Sequence, residues 1–305
     1  MKWKKLGHIF DCSNLPSWAE NSALTPTPFL LNSETLRVFA SFRDKEGIGR
    51  IGYVDLSANN PKKILKVSTK PVLDRGRDGM FDDNGMILGD VFKSPSGEIR
   101  MYYVGFQLIK RAKFLAFSGL AMSEDGTNFE RIAESPIFDR SNDANYIQAI
   151  HSVMFDDGIW KIWFAKGNDW QKINDNLFPK YNIWYAESKD GIKINSEHTL
   201  CIDVQGEEYR IGKPSVYKKN GEFIMFYTKG STSGKDYFPG VAFSSDGKKW
   251  ERRDEDLGME LGASQSFDSE HLCYPKLIDI ENKTYALYNG NNMGLDGFGL
   301  AELMK

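Results

Sequence analysis

A pattern of small, polar and large apolar positions recurs along the chain and predicts paired β-strands. In its most regular part a small residue is followed by serine, an Asp-Gly pair and a large apolar residue, in copies that begin at Ala121, Ala186 and Ala242. An Asp-Gly pair between two strand-like runs is typical of a tight hairpin turn, because glycine adopts a positive φ without steric cost. Each copy therefore predicts a strand, a turn and a second strand.

Two further strand-like runs precede each turn and complete a unit of about sixty residues. One is an aromatic-rich run after a turn, and the other is an apolar run with a small residue or a proline at its start. Weaker versions of the aromatic-rich run at 34–42 and 282–290 bring the number of units to five. Five units of four strands predict an all-β fold in which residues 1–305 form a single five-bladed β-propeller domain.

The two ends of the chain are predicted to meet in the last unit. The fifth unit stops after its third strand and has no Asp-Gly turn. The pattern of Trp3, Leu6, Ile9 and Phe10 is similar to that of the residues after the turn of the second unit. We expect the N-terminal segment to supply the missing outer strand, because a borrowed strand removes an exposed sheet edge. The alternative is a disordered N-terminal tail.

Composition narrows the class of function. The net charge is −3, so the chain lacks the excess of basic residues that is typical of proteins that bind nucleic acid. No apolar run approaches the roughly 20 residues of a membrane span, and we expect no signal peptide. Cys12, Cys201 and Cys273 lie far apart, which favours a reducing, cytoplasmic location. No ligand spacing predicts a metal, no phosphate-loop motif predicts a cofactor, and nothing sets an oligomeric state.

The start of each unit's innermost strand is where a propeller gathers polar side chains in one central funnel. Cleavage of a glycosidic bond needs two carboxyl groups, one as acid and one as base or nucleophile. We predict Glu270 as the acid, with a pKa raised by burial beside Leu272 and Tyr274. Asp82 or Asp90 is the predicted base.

A second set of residues is predicted to bind the substrate. Arg210 suits a forked contact with an anionic sugar group, with Lys213 near it for a phosphate, while Tyr103 and Trp163 suit stacking on sugar faces. The other candidates share a polar or aromatic side chain near the predicted funnel: Arg43, His151, Tyr274, Asn289 and Asn291. The polar segment Lys166 to Lys180 is predicted to be a long loop at this site.

Most of these candidates also have a structural interpretation. Asp82 comes shortly before an Asn-Gly pair and is suited to a turn. Asp90 lies in mid-strand, where its carboxylate is suited to accept hydrogen bonds from backbone N–H groups. His151 lies on an apolar strand, where a hydrogen-bonded structural histidine is the more common case. Tyrosine and tryptophan in strands usually belong to the core. Glu270 and Arg210 fit a structural role least, because each is a charge placed where an inner strand begins.

The chain resembles the five-bladed propellers of the arabinanase, levansucrase and invertase superfamily. This superfamily includes glycoside hydrolase families 32, 43, 62 and 68 and the family 130 phosphorylases. The resemblance is carried by Phe81-Asp82-Asp83-Asn84-Gly85, by Arg210 to Val216 and by Asp268 to Pro275, and Asn289-Gly290-Asn291 and Gly297-Phe298-Gly299 extend it. It is closest to glycosyl-hydrolase-like proteins encoded with surface-polysaccharide genes, and it implies a carbohydrate ligand.

Two catalytic positions of families 32 and 43 differ in this chain. Where those families have an aspartate at the first inner strand, the chain has Thr25-Pro26-Thr27, and where they have a glutamate in the third, it has Gln148 to His151. The acids are therefore expected from units two and five. We predict an enzyme that cleaves or transfers a glycosyl unit, with a carbohydrate or nucleotide-sugar ligand. The alternative is a non-catalytic sugar-binding or scaffolding propeller in glycan biosynthesis.

Overall fold

The computed structural model describes residues 1–233 and 236–304, and the predicted all-β class is confirmed within them. The helical segments of these residues are short 3₁₀ turns at Cys12–Asn14, Asp254–Asp256 and Asn291–Gly294. In the same part of the chain, no helix has the length and hydrophobicity needed to cross a membrane.

The N-terminal segment forms a strand, β1 (Trp3–Asp11), that pairs antiparallel with the last strand of the chain, Gly297–Leu303. The prediction that this segment supplies an outer strand to the last unit is confirmed. Phe10 is buried there and packs on Phe298 and Phe42, so the strand is held by the core as well as by its ladder.

The described strands form three hydrogen-bonded sheets of four, twelve and four strands. Two short parallel pairings, of Ile147 with Ala116 and of Tyr181 with Arg210, divide the twelve-stranded sheet, and we therefore describe the strands as five antiparallel groups of four. Group one contains β2 (Asn21–Leu30), β3 (Thr35–Arg43), β4 (Gly49–Ser57) and β5 (Ile64–Val67). Group two contains β6 (Met86–Lys93), β7 (Ile99–Gln107), β8 (Leu115–Ser123) and β9 (Glu130–Arg131). Group three contains β10 (Ile147–Asp156), β11 (Ile159–Ile173), β12 (Asn176–Ser188) and β13 (Thr199–Ile202). Group four contains β14 (Glu208–Lys219), β15 (Glu222–Ser231), β16 (Asp236–Ser244) and β17 (Glu251–Arg252). Group five contains β18 (Cys273–Ile280), β19 (Lys283–Asn289), β20 (Gly297–Leu303) and β1.

The first strands of the groups, β2, β6, β10, β14 and β18, contact one another in a ring, and we call them the inner strands. Between each pair of neighbouring groups, a side-chain oxygen of one group accepts a hydrogen bond from a backbone N–H of the next. The five pairs are Ser41 with Leu88, Asp90 with Val153, Ser152 with Val216, Thr228 with Tyr274, and Asn289 with Thr25. Neighbouring groups are therefore joined at the inner strands by polar side chains, where backbone ladders are sparse.

The three Asp-Gly turns share one set of hydrogen bonds. In each turn the serine hydroxyl accepts from the glycine N–H, and the aspartate carboxylate accepts from the backbone N–H groups of the two residues after the glycine. The glycine φ values are 71°, 74° and 76°, as the turn requires. Each glycine carbonyl accepts from a side chain of the preceding group: Arg37 to Gly126, Tyr102 to Gly191, and Trp163 to Gly247. The turn therefore repeats because it fastens one group to the group before it.

The segment Lys166 to Lys180 is a β-hairpin, and the prediction of a loop is wrong. β11 and β12 continue their pairing from Asp169 opposite Lys180 to the tip. Trp170 packs edge-on against Phe114 and Tyr146, with ring centroids 5.2 Å and 5.8 Å away. These aromatic contacts anchor a segment whose overall polarity suggested a loop.

Candidate functional site

A β-bulge interrupts every inner strand. The pairing register shifts between Leu24 and Thr27, Leu88 and Asp90, Ile150 and Ser152, Gly212 and Ser215, and Cys273 and Lys276. The bulges include Thr25, Gly89, His151, Lys213 and Tyr274. A bulge redirects a side chain and is common beside active sites. The ring centre is therefore the place where a site is expected.

Three of these bulged residues have an unfavourable backbone conformation. Thr25, Lys213 and Tyr274 have φ values of 53°, 52° and 58°. Each precedes a proline, which normally drives the residue before it to extended conformations. A left-handed conformation of this kind costs roughly 1–3 kcal/mol per residue and persists where the surrounding structure enforces it. Such strain is typical of functional sites.

A cavity of about 420 Å³, which we call the central cavity, is lined by two of these strained residues, Lys213 and Tyr274, and by bulged His151. Its lining divides into two walls. The apolar wall comes from groups two and three and consists of Ile87, Val104, Phe106, Phe114, Ala116, Ile147, Ala149, Ala165, Phe178 and Pro179. The polar wall consists of Arg43, His151, Tyr181, Arg210, Lys213, Tyr237 and Tyr274. Leu24, Lys113 and Met293 also line the cavity, and no aspartate or glutamate does among the residues that the structure describes.

Arg210 is the most enclosed arginine of the polar wall, with 6% of its surface exposed. Its guanidinium donates a hydrogen bond of 2.5 Å to Asp236 and lies 4.6 Å from the ring centre of Tyr237 and 5.0 Å from that of Tyr209. Aromatic rings and one carboxylate fix its position, while it still borders the central cavity. Arg43 borders the same cavity and has no ion pair with any described residue.

Lys213 reaches across the ring to group two. Its Nζ donates to the carbonyl oxygens of Leu88 at 3.0 Å and Gly89 at 2.7 Å. Asp90, the carboxylate whose charge acts on Lys213, pairs with Lys276 at 2.9 Å. Burial, and then the charge of Lys276, lowers the pKa of Lys213 to about 7. At neutral pH its amine is therefore divided between the charged and the neutral form.

His151 is neutral and has an unused nitrogen. Its Nδ1 is buried and has no hydrogen-bond partner among the described residues. Burial, together with the charges of Lys213 and Lys276, holds the pKa of the imidazole well below its usual value. The structural alternative predicted for His151 was a hydrogen-bonded core histidine, and the Nδ1 atom does not fit it. A buried polar atom without a partner is rare and fits contact with a ligand.

Three tyrosines complete the polar wall as neutral phenols. Burial raises the pKa of Tyr181, raises that of Tyr237 to about 12 and raises that of Tyr274 well above its usual value. A neutral phenol both donates and accepts hydrogen bonds, and its ring offers a flat apolar surface. Tyr274 was a sequence candidate, whereas Tyr181 and Tyr237 were not.

The three predicted acids lie outside the lining of the central cavity. Asp82 is buried and accepts two hydrogen bonds from Arg131, at 2.7 and 2.9 Å. Asp90 accepts from the backbone N–H groups of Val91 and Val153, as its structural interpretation predicted. Glu270 is exposed, so its predicted burial is wrong. Its catalytic role, like those of the two aspartates, stays a prediction.

Four other substrate-binding candidates occupy structural positions. Tyr103 and Trp163 are 0% exposed and so are not available to stack on a sugar in this structure. Both are core residues, as the structural interpretation of strand aromatics predicted. Asn289 binds the backbone of Ala23, Thr25 and Gly297, and Asn291 accepts from the N–H groups of Glu270 and His271. The structure thus brings together Arg43, His151, Arg210 and Tyr274 from the predicted set.

A signal for the site was present in the sequence. Thr25-Pro26, Lys213-Pro214 and Tyr274-Pro275 repeat a residue-proline pair at the start of three inner strands, where the strained bulges lie. Tyr181 and Tyr237 carry no such signal, because they lie near the starts of third strands. Among the described residues, no group of three or more histidine, cysteine, aspartate or glutamate side chains is arranged to hold a metal ion.

Comparison with known proteins gives two sequence relatives that match over the full length. No family model matches the chain. The uncharacterized proteins MT1551 and Rv1502 of two Mycobacterium tuberculosis strains are each 30% identical to it over 305 residues, which is 99% of this chain and 99% of each relative.

Solved structures with a similar fold include glycoside hydrolases. One, described as a glycoside hydrolase, has a TM-score of 0.73 and 17% identity, over 99% of this chain and 91% of the other. A thermostable family 43 glycoside hydrolase has a TM-score of 0.69 and 14% identity, over 94% and 90%. A structure from the GH130 family of mannoside phosphorylases, which contains hydrolases that target β-1,2 mannosidic linkages in Candida mannan, has a TM-score of 0.65 and 14% identity, over 98% and 93%. At these identities the likeness shows the fold.

Proposed function

We propose that this chain, which belongs to the family of the Mycobacterium tuberculosis proteins MT1551 and Rv1502 and has the fold of the propeller glycoside hydrolases, binds an anionic carbohydrate in its central cavity. One observation carries the proposal. Every ionisable side chain that lines the described part of the cavity is basic or phenolic. A phosphate or carboxylate group on a sugar provides the opposite charge.

The polar wall has the chemistry that such a ligand needs. Arg43 and Arg210 suit forked hydrogen bonds to a phosphate or carboxylate, and Lys213 adds a point charge when protonated. The phenols of Tyr181, Tyr237 and Tyr274 suit sugar hydroxyls. A sugar phosphate, a nucleotide sugar and a sugar acid all meet this description.

We further infer that the five strand groups are the five blades of one propeller domain. The contacts between inner strands run through all five groups and return to the first. The pairing of β1 with β20 completes the fifth group, as a closing strand would. On this interpretation the central cavity occupies the mouth of the propeller's axis, where all five blades contribute.

The proposed reaction is glycosyl transfer that involves the anionic group. Hydrolysis by two carboxyl groups requires them about 5–9.5 Å apart across the sugar. Glu270, Asp82 and Asp90 do not line the central cavity, so the acid pair predicted from units two and five has less support than transfer. The cysteine usage leads us to place this reaction in the cytoplasm, in glycan biosynthesis. Binding without catalysis is the second candidate, because the polar wall supplies recognition without a carboxylate pair.

Calorimetry with matched ligands tests the proposal. We expect glucose 1-phosphate and glucuronate to bind at least about tenfold more tightly than glucose, a difference of about 1.4 kcal/mol. Arg43→Met removes a cation that has no ion pair with any described residue. The variant should lose most of the difference in affinity between the anionic sugars and glucose. Arg77→Met is the matched control, because Arg77 is exposed, pairs with Glu134 and lies outside the central cavity.

Two results would count against the proposal. One is equal binding of glucose and glucose 1-phosphate, and the other is an equal effect of Arg43→Met and Arg77→Met. A turnover assay with a nucleotide sugar then separates transfer from binding alone.

A further inference from the structure

We propose that Lys213 forms an imine with a carbonyl group of the ligand, so that the central cavity takes the open-chain form of a sugar with both an aldehyde or ketone and an anionic group. The anionic part of this inference rests on the anion binding in the proposed function and not on glycosyl transfer, whereas the imine rests on the surroundings of Lys213. It selects sugar acids and sugars phosphorylated away from the anomeric carbon, because a nucleotide sugar or a sugar 1-phosphate does not open to a free carbonyl.

The hydrogen bonds of Lys213 leave one position on its nitrogen open. A neutral amine has two N–H groups and one lone pair, arranged tetrahedrally around Nζ with the side chain. The carbonyl oxygens of Leu88 and Gly89 accept two N–H groups, at 3.0 and 2.7 Å. The lone pair then points away from group two. Because Lys213 lines the central cavity, a ligand carbonyl has access to it.

The charges around Lys213 favour the reactive, neutral form. Lys213 has no ion pair among the described residues, because the carboxylate of Asp90 is taken by Lys276. The titratable and charged groups that face it are Lys276, Asp90 and His151, and His151 is neutral. A desolvated lysine beside a second cation is the usual environment of an amine that forms imines.

The backbone holds the amine in this place. Lys213 has a φ of 52° directly before Pro214, in the bulge of the fourth inner strand. In a regular extended strand, the side chain at this position would follow the alternation of β14 and point to one face of its sheet. The strained bulge instead sends the side chain across the ring to group two. We infer that the strain persists because it positions Nζ.

The step is a condensation that releases one water. The lone pair of Nζ forms a bond to the carbonyl carbon as the C=O π bond breaks; Nζ then loses one proton and the oxygen gains one, which gives a neutral carbinolamine. The nitrogen forms the C=N bond as the hydroxyl leaves with a proton as water, and loss of the second N–H proton gives the neutral imine. No oxidant or reductant is needed. Tyr274 lines the same cavity, and we expect its phenol to give and take these protons.

Reductive labelling tests the inference. The probe is pyridoxal 5′-phosphate, an aldehyde with a phosphate group, which is trapped by sodium borohydride and located by peptide mass mapping. We expect Lys213 to be labelled at least about tenfold faster at pH 7 than exposed Lys113, which lines the same cavity. The rate at Lys213 should rise with pH to a midpoint of about 7. Lys213→Arg keeps a cation but forms no adduct, and it should leave labelling of Lys113 unchanged.

The outcomes separate this inference from the proposed function. Labelling of Lys213 no faster than that of Lys113 overturns the imine. If pyridoxine 5′-phosphate, which has no aldehyde, still binds in that case, the anionic cavity stands. If the neutral aldehyde glyceraldehyde labels Lys213 as fast as pyridoxal 5′-phosphate does, the imine stands and the preference for an anion is wrong.

Discussion

The two walls of the central cavity are built on strands of the same repeated frame and yet differ in chemistry. The apolar wall, from groups two and three, is aliphatic and aromatic and has no hydrogen-bonding side chain. The polar wall takes His151 and Tyr181 from group three and its other residues from groups one, four and five, and it carries guanidinium, amine, imidazole and phenol groups. The repeat therefore fixes the frame, whereas the individual residues that border the cavity fix the chemistry. A ligand that fits has an anionic, hydroxyl-rich side and an apolar side.

The largest expected effect comes from removing the best-enclosed charge of the polar wall. Arg210→Met leaves Asp236 without its ion-pair partner, and one oxygen of Asp236 is already buried without a hydrogen bond among the described residues. Because Asp236 is partly exposed, we expect the free energy of unfolding to fall by on the order of 2 kcal/mol in urea denaturation.

A double variant separates that loss of stability from the loss of binding. Arg210→Met with Asp236→Asn should recover most of the stability, because no uncompensated charge remains. It should not recover binding of glucose 1-phosphate in calorimetry. Recovery of binding would show that Arg210 supports the wall without contacting the anion.

The second effect is a pH dependence that belongs to the polar wall. The pKa of Lys213 is lowered by burial to about 7 in the folded protein, and it returns to its ordinary value near 10.5 on unfolding. At pH values between these two pKa values, the unfolded chain binds more protons than the folded chain does. The free energy of unfolding therefore rises with pH in this range. From pH 7 to pH 10 we expect the wild type to gain roughly 1–3 kcal/mol relative to Lys213→Met.

Denaturation at a series of pH values measures this gain. The comparison with Lys213→Met cancels the titration of other groups, because they are common to both chains. Parallel curves for the two proteins would mean that Lys213 stays charged in the folded state, and the imine proposal would lose its chemical basis.

The third effect concerns the apolar wall. Phe178 lies on the β11–β12 hairpin, lines the central cavity and packs against Tyr209 with ring centroids 5.9 Å apart. Phe178→Ala should weaken binding of 4-nitrophenyl phosphate by about fivefold, or about 1 kcal/mol, through lost apolar contact. Binding of inorganic phosphate should be unchanged. An equal loss for both ligands, measured by calorimetry, would show that the two walls do not recognise separate parts of a ligand.

The features of the fold that have a local sequence pattern could be predicted from the sequence. The Asp-Gly turns and the strand runs predicted the all-β fold, and the N-terminal pattern predicted the partner of the last strand. Both predictions depend on turn-forming residues and on the alternation of polar and apolar side chains, which are visible in the sequence itself. Arg43, His151, Arg210 and Tyr274 were predicted from their places near the strand ends that face the ring; they line the central cavity, and their role in binding stays a prediction.

The residues that were not predicted, and those whose positions differ from the prediction, depend on geometry that strand alternation does not contain. A bulge shifts the register by one residue and so changes which side chain faces the cavity. Asp90 follows such a bulge and turns to backbone amides and Lys276. Trp163 points into the space between groups, where it binds the next Asp-Gly turn. Tyr181 and Tyr237 reach the cavity from third strands, whose contacts become known only from the fold.

The smallest expected effect comes from Glu270, and it decides whether the polar wall is the whole site. Glu270 is exposed, its N–H is held by Asn291 at 2.8 Å, and the adjacent His271 contacts Tyr237 of the polar wall with ring centroids 5.8 Å apart. A charge at an exposed rim is well screened, so Glu270→Gln should change binding of glucose 1-phosphate by less than about twofold. Glu260→Gln, at an exposed position of the same loop, is the matched control. If a substrate is turned over and Glu270→Gln alone abolishes turnover while binding is retained, the loop closes over the cavity to deliver its acid, and the site includes a carboxylate that the two walls lack.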